Sequence, residues 1–125
     1  MKRIYHLVTP DRWPVPSGND YLTDSLASEG FIHCSFADQV EGSANRYYGQ
    51  ASELLLLEID PQRLNVPLKI EPSGSGALFP HLYGPLHADA VIRVHRLQRE
   101  SGRWVFLSQQ PASPTLLPSD GPPAS

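Results

Sequence analysis

Histidines, a serine and aromatic rings gather in three short segments of this 125-residue chain: Ile4-Tyr5-His6-Leu7, Gly30-Phe31-Ile32-His33-Cys34-Ser35 and Phe79-Pro80-His81-Leu82-Tyr83-Gly84. An imidazole exchanges protons near neutral pH, and its flat face packs against other rings. Three imidazoles together with Phe79, Tyr83 and Ser35 suit a flat, polar, ring-containing ligand. The third segment points that way most strongly, because two prolines pin it and the flexible run Pro72-Ser73-Gly74-Ser75-Gly76 precedes it. A packed turn is the plainer alternative there. For His6 the plainer alternative is a core ring bonded to backbone.

Strand alternation sends Phe31, His33 and Ser35 to one side and Ile32 and Cys34 to the other. Adjacent His33 and Cys34 therefore cannot share one site, which argues against a zinc pair and against a thiolate activated by its neighbour. Cys34 reads as a small buried apolar residue. Ser35 is either the cap of the following helix or a ligand group. Arg46, on the flank of that helix, reaches a phosphate or carboxylate above the second strand or else is solvated at the surface. Glu58 shares a strand face with Leu54 and Leu56, so it is either a semi-buried carboxylate with a raised pKa or a strand-end glutamate that reaches solvent or forms an ion pair. His87 and His95 read as surface positions. No phosphate loop, nucleophile elbow, zinc-finger spacing or dinucleotide fingerprint is present in the sequence.

The elements that must position these residues follow from periodicity and punctuation. Arg3 to Val8 alternates as a first strand, with Ile4, His6 and Val8 on one face. Thr23 or Asp24 caps a short helix over Ser25 to Glu29, and Gly30 ends it. Phe31 to Ser35 forms a second strand. Ser35 with Asp38 predicts a capping box for a helix that puts Phe36, Val40, Ala44 and Tyr47 on one side and closes at Gly49. Glu53 to Asp60 is the strongest strand, because four successive leucines require burial on both faces and a central place in a sheet. A strand over Leu68 to Glu71, the glycine-serine run as a lid, and an extended segment through Leu78 to Pro85 come next. Val91 to Leu97 and Arg103 to Leu107 predict a terminal hairpin across Glu100-Ser101-Gly102. Two helices followed mostly by strands predict an α+β fold with a mixed or antiparallel sheet. The domain is expected over residues 1–108, and the Pro/Ser-rich residues 109–125 read as a disordered tail.

Ten basic against 13 acidic side chains, with no block of one sign, give no electrostatic footprint for nucleic acid or an anionic bilayer. The single cysteine, the short apolar stretch that ends at Pro10 and the lack of a membrane-length apolar run predict a cytoplasmic protein with no membrane partner. The sequence leaves the oligomeric state unknown.

The peptides IYHLVTP, GFIHCSFADQV and LFPHLYGPLHADAV, over about Lys2 to Leu97, resemble in order and spacing the domain-of-unknown-function family numbered 952, whose members are small bacterial proteins. That family is similar in fold to the ADP-ribosyltransferase superfamily. The resemblance implies two small, curved, split sheets around a nicotinamide dinucleotide cleft, with NAD as substrate and no metal. It implies His6 on a ribose hydroxyl, His33 or Ser35 under the reacting end, and His81 with Tyr83 where relatives often carry a late glutamate, a position with no clear glutamate here. Combined with the residue reading, the expected catalytic residues are His6, His33 and His81, and the expected nucleotide-binding residues are His6, Ser35, Arg46, Phe79, His81 and Tyr83. The alternatives are a module that binds a nucleotide or metabolite without turning it over, and a metal site built from the same three histidines.

Overall fold

The run Leu54-Leu55-Leu56-Leu57 organises the molecule. In the computed structural model, which describes residues 2–16 and 19–106, Leu55 and Leu57 face one buried cluster and Leu54 and Leu56 face another. A fully buried leucine contributes about 1.5–3 kcal/mol relative to an exposed one, so both faces of this strand must be covered. The strand, β3 (Leu55–Ile59), lies between β1 (Ile4–Val8) and β6 (Val91–Arg96), all antiparallel. The central position predicted for it is observed.

The second sheet is β2 (Ile32–His33), β5 (Leu78–Leu82) and β4 (Leu68–Pro72), in the order β2-β5-β4 and again antiparallel. Its inner face brings Ile32, Cys34 and Leu82 against Ile4, Val8, Leu57 and Ile59 of the first sheet. Proline in a middle strand costs a ladder bond unless its missing N–H faces no partner. The Pro80 carbonyl accepts from Cys34 N–H at 3.1 Å, so its nitrogen also faces the β2 side, where that two-residue strand has already ended. The two sheets meet at Tyr5 and Ser35, which exchange both backbone hydrogen bonds, at 2.8 and 2.7 Å.

Helix α1 (Asp24–Glu29) starts and stops as predicted: Thr23 accepts from Leu26 N–H, and Gly30 at φ 90° closes it. The other face of the first sheet is covered by α2 (Val40–Tyr47) and by a hairpin of β7 (Gln98–Glu100) and β8 (Arg103–Val105). Asn45 of α2 holds this hairpin, accepting from Trp104 N–H at 2.8 Å and donating to its carbonyl at 3.0 Å. Arg99 lies over the Trp104 ring at 4.0 Å and donates to the carbonyls of Gly49, Ala51 and Gly102.

Several expectations are corrected. The segment Val91–Arg96 pairs with β3 and not with Arg103–Val105, whose partner is Gln98–Glu100; the turn itself is at Ser101-Gly102 as expected. Ser35 does not cap α2. The helix begins instead as a 3-10 turn over Ala37–Gln39, with the Gln39 side chain accepting from Phe36 N–H, and it ends at Tyr47 before Gly49 is reached. Tyr47 is exposed, and Tyr48 packs against the core in its place. The glycine-serine run is the turn of the β4–β5 hairpin, bonded to itself through Ser73 N–H to Ala77 O and Gly76 N–H to Ser73 O, both at 2.9 Å. The architecture is α+β with small antiparallel sheets and short helices. The predicted tail and the end of the predicted domain, at residue 108, lie outside the described residues.

Candidate functional site

The outer face of the second sheet carries what its inner face excludes. Alternation on β5 and its flank turns Phe79, His81 and Tyr83 outward, β4 adds Lys69 and Glu71, and Phe31 and His33 flank or lie on β2. Antiparallel register then sets the neighbours: His33 lies opposite His81, and Glu71 opposite Phe79. Phe31 stacks on His81, with ring centroids 4.0 Å apart and planes 20° from parallel, and touches His33 edge-on at 4.8 Å.

This face forms one wall of a cleft of about 1180 Å³. Gly42, Ser43, Arg46 and Tyr47 of α2 form the opposite wall, and the turn through Ser73, Ser75 and Ala77 forms a third side. His6, Leu7, Cys34 and Ser35, all buried, make the floor, whereas Glu29, His33, Arg46 and Tyr47 are exposed at the rim. Gln39 ties two walls together by donating from Nε2 to the Leu78 carbonyl at 2.7 Å. Small-ligand pockets commonly run roughly 300–1,000 Å³, so this one has room for a dinucleotide.

The structure therefore brings together six of the seven residues singled out from sequence: His6, His33, Ser35, Arg46, Phe79 and His81 line the cleft. Tyr83 does not; it stands behind His81, donating to Glu71 Oε1 at 2.5 Å, with Lys69 over its ring at 4.7 Å. Ser35 bonds weakly across the floor to Ser43, at 3.4 Å. Arg46 lies 5.4 Å from the Tyr47 ring and, unlike Arg3, Arg63 and Arg96, pairs with no carboxylate among the described residues.

His6 occupies the floor on terms that limit its role. Its Nδ1 donates to the His33 carbonyl at 2.6 Å, which leaves Nε2 to accept from Tyr21 O–H at 2.8 Å. Burial pushes its pKa down to about 4, so the ring is neutral at pH 7. With both nitrogens engaged, His6 positions β2 and Tyr21; it holds a ribose hydroxyl only by giving up one of these bonds. The three-histidine metal alternative fails for the same reason, and among the described residues no three ligating side chains converge. Cys34 is buried with its thiol pKa pushed well up, as an inert core residue should be.

Two participants escaped the sequence reading. Glu71 binds both His81 Nδ1, at 2.8 Å, and Tyr83. Those two hydrogen bonds, the tyrosine's first, hold its carboxyl below the ordinary range, and the same bond raises the pKa of Tyr83. Its partnership depends on β4–β5 register, which no local pattern announces. Tyr21 lies 15 positions from His6 in irregular chain and carried no signal at all. His95 is corrected: its Nε2 is 2.8 Å from the buried Glu58, which also meets Arg3 at 3.4 Å. Glu58 thus combines the two readings, a buried carboxylate that is also ion-paired. His87 is at the surface as expected, between Asp20 and Asp89, and the Asp20 hydrogen bond first among its contacts raises its pKa.

The family described as "Protein of unknown function (DUF952)" matches residues 7–94. The chain belongs to this family. It is similar to the crystal structure of protein CC0527 from Caulobacter crescentus, with 31% identity and a TM-score of 0.72 over 83% of this chain and 94% of that one. The solution structure of CC0527 is 33% identical, with a TM-score of 0.69 over 83% of this chain and 91% of that one. No curated protein matches. These matches carry the family and its fold. Among the described residues, no helix is long and apolar enough to cross a membrane.

Proposed function

We propose that the cleft binds a nucleotide of the NAD or ADP-ribose kind, with ADP-ribosyl transfer as the reaction that the sequence resemblance attaches to such a ligand. One observation carries the binding reading: residues from three distant segments, rich in rings, converge on a single cleft with Arg46 at its rim and, among the described residues, no competing carboxylate on that arginine. A base or nicotinamide ring lies against Phe31, Phe79 and the imidazoles. The phosphates meet Arg46 and the hydroxyls of Ser35 and Ser43. A cytoplasmic address, where such nucleotides are plentiful, goes with this reading.

A module that binds without turnover is the second reading. It is favoured by His6, whose ring nitrogens are both committed to the protein, since the ribosyl-transfer scheme asks that ring to hold the ribose.

Calorimetric titration with NAD and with ADP-ribose tests the proposal. Binding is expected for the wild type and is weaker in Arg46→Ala by about tenfold, the loss of one charge-assisted hydrogen bond. A wild type that takes up neither compound ends the nucleotide reading. Thermal stabilisation by the ligand without release of nicotinamide selects the second reading over transfer.

A further inference from the structure

The outward face of the second sheet holds one histidine in an arrangement the binding reading does not require. The Glu71 carboxylate accepts from His81 Nδ1 at 2.8 Å, so the hydrogen of the neutral ring is on Nδ1 and the lone pair on Nε2. Tyr83 fixes the carboxylate from behind, and Phe31, stacked at 4.0 Å, fixes the plane of the ring. The ring is 5% exposed yet lines the cleft, and among the described residues nothing hydrogen-bonds Nε2. His33 also meets a carboxylate, Glu29 at 3.3 Å, but both side chains are about half exposed and the pair is screened by water.

We propose that His81 Nε2 is the proton acceptor of this cleft, acting on a hydroxyl of the bound ligand, and that Glu71 is its positioning residue. The assignment rests on the cleft reading above and adds a reaction step to it. The ligand's O–H bond breaks and an N–H bond forms at Nε2. The electron pair stays on oxygen, which is left as an alkoxide hydrogen-bonded to the new imidazolium. Glu71 stays ionised and stabilises the imidazolium by the bond it already makes to Nδ1.

Acylation by diethyl pyrocarbonate, which attacks an unprotonated imidazole nitrogen, reads that lone pair without any need to know the substrate. The full chain is treated between about pH 5 and 8, and each histidine is followed by peptide mass spectrometry. His81 is expected to react at Nε2 despite its burial. At the upper end of that range Glu71→Ala, which frees the ring to rotate and to carry its hydrogen on Nε2, is expected to slow the reaction severalfold, and Glu71→Gln, which still accepts from Nδ1, to restore much of that loss in a protein with an unchanged circular dichroism spectrum. A His81 that stays unmodified while His33 reacts, or that reacts at one rate in all three proteins, overturns the assignment. Saturating NAD separates the two levels: protection of His81 supports both, whereas Glu71-dependent reactivity without protection supports the acceptor and ends the nucleotide reading.

Discussion

Two glutamate–histidine pairs stand on the two sheets and have opposite consequences. On the first sheet Glu58 and His95 meet through Nε2 at 2.8 Å, with Arg3 closing the carboxylate from the other side and Phe106 edge-on to the imidazole. Neither residue lines the cleft, and the carboxylate is held on both sides by the protein. On the second sheet Glu71 and His81 meet through Nδ1 at the same distance, but Tyr83 replaces the arginine and the ring itself lines the cleft. The same two residue types make a strut in one place and a reactive group in the other. What distinguishes them is which ring nitrogen is bound, who else holds the carboxylate, and whether a cavity adjoins.

The comparison breaks first, and by the largest margin, on turnover. If NAD is consumed, His81→Gln is expected to slow nicotinamide release by roughly 10²–10⁴-fold, the usual worth of a proton-transfer group, and His95→Gln to leave it unchanged; equal losses from the two variants erase the distinction. His6 supplies the next test, as a histidine with both nitrogens spent. Its folded ring refuses a proton until about pH 4, whereas the unfolded ring takes one near pH 6.5. Between those values the unfolded state binds more protons, so stability is full above the upper value and falls by roughly 3 kcal/mol on the way to the lower one. Denaturant titration across this range should show that decline in the wild type and a flatter profile in His6→Gln. The smallest effect sharpens the strut. Glu58→Ala is expected to cost roughly 1–3 kcal/mol, and to lower the melting temperature by more than Glu71→Ala does, because Glu71 is a third exposed and Glu58 is not.

Much of this frame was legible where the signal is local. The leucine run announced a strand covered on both faces, Thr23 and Gly30 marked the ends of α1, and alternation separated His33 from Cys34. The partner of Val91–Arg96 was not legible, because a hairpin turn at Ser101-Gly102 is a local signal and pairing with β3, far back in the chain, has none. Tyr47 failed because the buried stripe runs in steps of four through Val40, Ala44 and Tyr48, where Trp104 covers it, and position 47 falls to the side. Within the cleft, residue types pointed to His6, His33 and His81, but the tasks that separate them are set by partners elsewhere in the chain, Tyr21 in irregular structure and Glu71 on β4, which only loop path and register bring near.

The exchange of backbone hydrogen bonds between Tyr5 and Ser35 is a seam between the sheets, and it runs beside His6 at the base of the cavity. Whatever wedges the walls apart must strain that seam, and whatever draws them together must tighten it. Deuterium uptake at those two amides is therefore an internal gauge of occupancy, slowing when the hollow is filled by something that fits and quickening when it is forced, with no label placed in the hollow itself.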